Sequence, residues 1–265
     1  MTPDLASQIS RLGLVSTAAQ LAELCDRAAR EQWSASQLLT HVADVEHADR
    51  ARRSLERRTA RCRLGRFKPM ADFDWSWPAQ IDRGRVESLL RLDFLVDARN
   101  VVLIAPHGLG KSMIAQNLAH EALLAGHSVL FTSASQLLLD LGSRDSSRAL
   151  DARLRHYAGA SLLVIDELGY LSYDSRNADL LFQVVARRYE QKSVVLTTNL
   201  AFSDWPSVFP NATCATALID RVAHHAEVVP IAGKSYRLGE AEKAHTRKTD
   251  AIVAPSQPAT RKSRK

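Results

Sequence analysis

Two textures of apolar residues divide the chain. From Leu5 to about Leu64 the apolar positions return at helical spacing, as in Leu21, Leu24 and Cys25, and again in Leu38, Leu39, Val42 and Val45. From Asn100 onward they gather into short continuous runs: "NVVLIA", "HSVLFTS", "SLLVID", "KSVVLTTN" and "AEVVPIAG". Such runs, rich in β-branched residues, suit strands buried on both faces of a parallel sheet. Between them, "GKSMIAQNLAHEALLAG", closed by Gly126, and "ADLLFQVVARRYEQ" read as helices. Strands alternating with helices predict an α/β fold, a parallel five-stranded sheet flanked by helices, preceded by a small helical domain. The chain contains no internal repeat.

Between the two textures, "FKPMADFDWSWPAQ" breaks helicity at Pro69 and Pro78 and carries Phe67, Phe73, Trp75 and Trp77. It reads as a linker whose aromatic rings anchor it to the sheet domain. The expected organisation is a helical domain over 1–68, a linker over 69–99, a core over 100–239 and a basic, disordered tail over 240–265.

Charge sharpens this division. The net charge is +6, and it is unevenly spread. Arg50, Arg52, Arg53, Arg57, Arg58, Arg61, Arg63, Arg66 and Lys68 face only Glu56 between positions 50 and 68. The stretch "DRARRSLERRTARCRLGRF" predicts a solvent-facing helix with a positive surface. Arg50, Arg53, Arg57 and Arg61 share one stripe of that helix and are candidate contacts to a duplex DNA backbone. A merely solvated face is the plainer reading. Cys25, Cys62 and Cys214 are dispersed, which suggests neither a zinc site nor a disulfide framework. A reducing, cytoplasmic setting is expected, with no signal peptide and no membrane span.

The chemistry begins at "LIAPHGLGKSMIA". A strand, a glycine-bearing loop and a helix opening on Lys-Ser form the phosphate-binding pattern, with Ala105 where a first glycine is usual. Ala105 ends a strand, where a negative φ suffices and a methyl is the smallest intrusion. Ala105, Pro106, His107, Gly108, Leu109, Gly110, Lys111, Ser112 and Met113 are the candidate nucleotide-binding residues, with His107 a loop position rather than a base. Lys111 supplies charge for the β- and γ-phosphates of ATP, and Ser112 a hydroxyl for Mg²⁺. Gly108 and Gly110 keep the loop backbone open to the ligand.

"SLLVIDEL" puts Asp166 and Glu167 at the carboxyl end of a buried strand, where ligands of open sheets bind. Asp166 is the candidate Mg²⁺ ligand through water, and Glu167 the candidate that polarises an attacking water. Adjacent acids also occur at solvated strand ends. Thr197, Thr198 and Asn199 end the next strand, and Asn199 is a candidate for sensing the γ-phosphate or for a simple turn. Arg221 is a candidate arginine finger reaching a neighbouring subunit, or a partner of Asp220 or Glu227. His224 and His225 are taken to face different sides of a helix, which argues against paired metal ligation. Arg237 is a weak candidate for phosphate contact within the subunit.

Taken in order, "HGLGKS", "LLVIDELGYL", "LTTNLAFSDW" and "ALIDRVAHHAEVVPIAGKSYRL" resemble the IstB-like AAA+ ATPases, transposition helpers related to the DnaC-type helicase loaders. The resemblance runs from about Arg50 to Leu238. It implies an AAA+ core in which Lys111 and Ser112 bind ATP–Mg²⁺, Asp166 and Glu167 support hydrolysis, Asn199 is a sensor and Arg221 a finger. It also implies ATP-dependent homo-oligomerisation on DNA and a partner transposase. The alternatives are a replicative helicase loader and a nucleotide-gated DNA-binding scaffold with little hydrolysis.

Overall fold

A computed structural model describes residues 3–236 apart from 171 and 211. The basic tail lies outside the described residues. The chain falls into two compact units, the first ending at Cys62 and the second beginning at Arg63.

In the first unit the apolar periodicity is cut into four helices, α1 (Pro3–Arg11), α2 (Val15–Ala19), α3 (Leu21–Arg30) and α4 (Ala35–Cys62). Leu21 and Leu24 bury themselves, as their spacing requires. Glu46 is also buried and its carboxylate accepts from the backbone N–H of Thr17 at 2.8 Å, which ties α2 to α4. Helix α4 carries the basic run, and one acid outside that run alters its electrostatics. Asp49 pairs with Arg52 and, at 2.6 Å, with Arg53. The Arg52 hydrogen bond holds the Asp49 carboxyl below its usual range. Arg50 donates to the Gly13 carbonyl at 3.4 Å. Arg57 and Arg61 are exposed. The stripe is therefore partly neutralised at Arg53, a correction that comes from a residue one turn upstream.

The second unit opens with a 3-10 turn at Met70–Asp72 and helix α5 (Arg83–Leu89), which the linker composition did not announce. All five expected strands form: β1 (Asn100–Ile104), β2 (Val129–Ser133), β3 (Leu162–Leu168), β4 (Ser193–Thr198) and β5 (Ala226–Pro230). They pair in parallel in the order β2-β3-β4-β1-β5. The flanking helices are α6 (Lys111–Leu124), α7 (Ala134–Gly142), α8 (Ser147–Gly159), α9 (Ser175–Arg188) and α10 (Ala212–Ala223). Gly126 closes α6 as expected, with its N–H on Leu123 and that of His127 on Ala122. Helices α7 and α8 were not legible beforehand. Their starts are set by Ser133 and Ser146, whose hydroxyls accept from Gln136 and Ala149.

The core between sheet and helices is built from Val102, Leu137, Leu141, Leu163, Ile165, Leu181, Val184 and Leu196, all fully enclosed. Each such side chain contributes about 1.5–3 kcal/mol relative to exposure. Two buried polar residues fix the register. The Asn100 amide donates to Val222 and accepts from the N–H of Val194, locking β1 to α10 and β4. Arg188 is fully buried and donates to the carbonyls of Tyr157, Ala160 and Ser193. Burial alone lowers its pKa to about 10. These bonds join α8 and α9 to the edge of β4.

Candidate functional site

The site stands at the carboxyl ends of β1, β3 and β4. Ala105 is 1 % exposed, its N–H donates to the Thr198 carbonyl at 3.1 Å, and its φ is outside the left-handed region. A glycine is not needed there. It is needed at Gly108 and Gly110, where φ is +76° and +87°. These positions are not open, as the sequence suggested. A Cβ on Gly110 would lie 2.5 Å from Phe73 Cε2, and one on Gly108 would lie 2.2 Å from Ser235 Oγ. Two distant segments therefore press on the loop, and Tyr236 clamps it by donating its N–H to the Gly108 carbonyl at 2.9 Å. Gly110 caps α6, so that helix's unpaired N–H groups and positive end face the loop. The Lys111 ammonium lies inside it, donating to the carbonyls of Ala105 at 2.6 Å and Pro106 at 2.8 Å.

The acid pair is split by a bulge. Strands β3 and β4 run in register up to Ile165 and resume at Leu168. The shift sends Asp166 and Glu167 to different tasks. Asp166 Oδ1 accepts from Ser112 Oγ at 3.0 Å and also from Thr197 Oγ1. Thr197 Oγ1 in turn accepts from the Glu167 N–H at 2.9 Å. Glu167 sits at φ +61°, a conformation costly for a non-glycine residue. Its carboxylate makes no hydrogen bond among the described residues, and the residue lines a cavity of ≈ 400 Å³. Ser112 and Asp166 offer hard oxygen donors side by side, a set whose chemistry fits Mg²⁺.

That cavity is in the size range of nucleotide-sized ligands. Its floor is the phosphate loop from His107 to Met113, and Thr198 and Asn199 reach it from β4. Its other wall comes from the former linker: Phe73, Trp77 and Pro78. Phe73 packs on Trp75 with ring centres 4.7 Å apart. Trp77 meets Tyr236 edge-on at 5.1 Å and donates its indole N–H to the Lys234 carbonyl at 2.8 Å. Lys68 and Arg66 also line it. The sequence pointed to aromatic anchoring. It did not show that the anchored rings, with Tyr236 and Tyr170, would become walls of the site.

The structure brings together Ala105 to Met113, Asp166, Glu167 and Asn199. It does not bring Arg221 to them. That guanidinium lies 4.6 Å over the Phe182 ring at the opposite end of the sheet, before β5. Glu227 pairs with Arg85 and Arg99 rather than with Arg221. Arg237 lies outside the described residues. Arg50, Arg53, Arg57 and Arg61 belong to the first unit. His224 and His225 follow the last helical residue, Ala223, so the helix-face argument against joint ligation fails. Both rings turn toward Glu190 Oε1, at 3.7 and 3.6 Å.

A loop of this shape on a β2-β3-β4-β1-β5 sheet defines an AAA+-like P-loop domain. Residues 7–244 match the model of the family described as IstB-like ATP binding protein, and the chain belongs to that family. It is 34% identical to the ATP-binding protein of insertion sequence IS21 from Pseudomonas aeruginosa, over 91% of each chain. It is 32% identical to that of insertion sequence IS5376 from Geobacillus stearothermophilus, over 87% of this chain and 92% of the relative. Among solved structures it is similar in fold to DnaI, with a TM-score of 0.51 at 18% identity, covering 65% of this chain and 91% of that one. No described helix is long and apolar enough to cross a membrane.

Proposed function

We propose that this chain is an ATP hydrolase that assembles with copies of itself on duplex DNA and supplies target DNA to a partner transposase. The insertion-sequence setting in the relatives' names supports the transposition reading. The observation that carries hydrolysis is the bulge at Asp166 and Glu167. It commits one acid to Ser112 and Thr197 and leaves the other, free of side-chain hydrogen bonds among the described residues, lining the cavity.

In this reading Lys111 leaves its carbonyl partners for the β- and γ-phosphates, and the loop N–H groups bind the remaining phosphate oxygens. Phe73, Trp77 and Tyr236 hold the base, since flat apolar rings suit a purine face. Ser112 and Asp166 hold Mg²⁺, which when bound neutralises charge developing on the phosphates. Glu167 accepts a proton from the attacking water, and Asn199 orients that water or the γ-phosphate. Arg221 lies away from its own loop and serves the site of a neighbouring copy. Arg50, Arg57 and Arg61, with Arg53 in a lesser part, contact DNA phosphates without reading bases.

The test is ATP binding and turnover measured side by side for wild type and Glu167→Gln. Unchanged binding with turnover reduced about 10²–10⁴-fold is expected for loss of a general base. Equal turnover in the two proteins overturns the assignment. Tight binding with no turnover in the wild type points instead to a nucleotide-gated scaffold.

A further inference from the structure

The end of the sheet opposite the nucleotide cavity holds a second cluster. Glu190 lies in the turn between α9 and β4, and His224 and His225 between α10 and β5. His224 Nδ1 and His225 Nε2 are 3.7 and 3.6 Å from Glu190 Oε1, and all three donor atoms lie within 4.8 Å of one another. The two imidazole rings are 4.0 Å apart, centre to centre. We propose that Glu190, His224 and His225 form a binding site for a zinc-class divalent transition-metal ion.

Three features support this. First, the spacing suits ligands better than hydrogen bonds. Donors of a tetrahedral zinc ion, each about 2.0–2.1 Å from the metal, stand about 3.3–3.4 Å apart. The two separations from Glu190 exceed hydrogen-bond length and need to close by only a few tenths of an ångström, and the two imidazole donors already lie within 4.8 Å of each other. Second, the ligand set is right, since two imidazoles and one carboxylate leave a fourth position for water. Third, the local field favours a cation. Helix α9 ends at Arg188 and α10 at Ala223, so both carbonyl ends arrive beside the cluster. Of the charges acting on the adjacent Tyr189, Asp220 adds to this field and Arg221 opposes it from its stacking position on Phe182. Glu190 holds φ +54° in its turn, a backbone conformation that glycine or asparagine adopts more readily.

The cluster also contains a competitor. The Tyr189 hydroxyl is 2.7 Å from His224 Nδ1 and hydrogen-bonds the ring nitrogen a metal would take. Tyr189→Phe should therefore bind metal at least as tightly as the wild type.

Titration with Co²⁺ alone, in the full chain without tag, nucleotide or Mg²⁺, tests the site. One equivalent should bind with the intense visible absorption of a tetrahedral ion, and one equivalent of Zn²⁺ should abolish it. His224→Ala and His225→Ala should each weaken Co²⁺ binding more than about tenfold, as should the near-isosteric Glu190→Gln. All three side chains are about half exposed, so the variants should fold, which far-UV circular dichroism checks. Absence of the tetrahedral absorption, or equal affinity in wild type and all three folded variants, overturns the proposal.

Discussion

Glu167 and Thr197 show how one hydroxyl serves two backbone problems. Glu167 occupies a left-handed conformation, and its N–H is held only because the buried Thr197 hydroxyl accepts it. The same hydroxyl donates to Asp166. Thr197→Val keeps the shape and removes both bonds, so it should cost about 1–3 kcal/mol of stability through an unpaired buried N–H. It should also lower ATP turnover while leaving nucleotide affinity nearly unchanged. Denaturant unfolding and a turnover assay together check this, and a variant as active and stable as wild type would show that Glu167 is held by something else. Lys111→Ala should abolish ATP binding, read by titration of a fluorescent analogue, because the loop loses its internal cation. At this scale the sequence was informative. The identities of Lys111, Ser112, Asp166 and Glu167 name their chemistry. That Asp166 and Glu167 diverge was not legible, because a bulge depends on the partner strand.

At the scale of elements, the linker and the phosphate loop act as one piece. Gly110→Ala meets two obstacles, a positive φ and the Phe73 ring. Conformational strain alone costs about 1 kcal/mol or more. Gly110→Ala should therefore destabilise the loop and weaken ATP binding, and adding Phe73→Ala should restore only the part of the stability due to the clash. Full recovery of stability in the double variant, by thermal unfolding without nucleotide, would show that φ does not matter there.

Helices α7 and α8 are joined by Asp140, which accepts from Arg144, Arg153 and the Tyr157 hydroxyl. Burial pushes the Asp140 pKa up, but the bonds from Tyr157 and Arg153 outweigh it and the net shift is downward. Burial and the Asp140 bond push Tyr157 up to about 12. A depressed carboxyl stabilises above its unfolded pKa and loses that contribution as pH falls through the folded value. A raised phenol stabilises below its unfolded pKa and loses it as pH rises through about 12. Stability should thus fall in acid below about pH 4 and again above about pH 10. Asp140→Asn should flatten the acid limb in urea unfolding measured across pH, and an unchanged limb would remove Asp140 as its source.

For the whole molecule, the proposed contacts with DNA and with neighbouring copies can be tested on α4 and on Arg221. Arg221 stands far along the strands from its own loop, so Arg221→Ala should bind ATP normally and hydrolyse it poorly. Mixing it with Lys111→Ala protein should restore some turnover at mixed interfaces. If no mixture exceeds either variant alone, a role in trans is unsupported. Replacing Arg50, Arg57 and Arg61 with glutamate should weaken duplex binding at every sequence and flatten its dependence on salt. Equal slopes would assign DNA to another surface.

Periodicity and motif by themselves determined the five strands, the helices after β1 and β3, the phosphate loop and the family, because each rests on neighbouring residues. Val101 to Leu103 form a buried strand, and the Lys-Ser of "GKS" opens the helix that follows the loop. The tertiary structure decided what depends on contact across the chain. It brought Phe73 and Ser235 against the loop, where Gly110 and Gly108 carry no side chain to meet them, and placed Trp77 and Tyr236 on the same cavity. It set Asp49, the residue just before the basic run, against Arg53 one turn on. It also turned His224 and His225 together onto Glu190, because α10 ends one residue before them and frees the backbone from helical spacing.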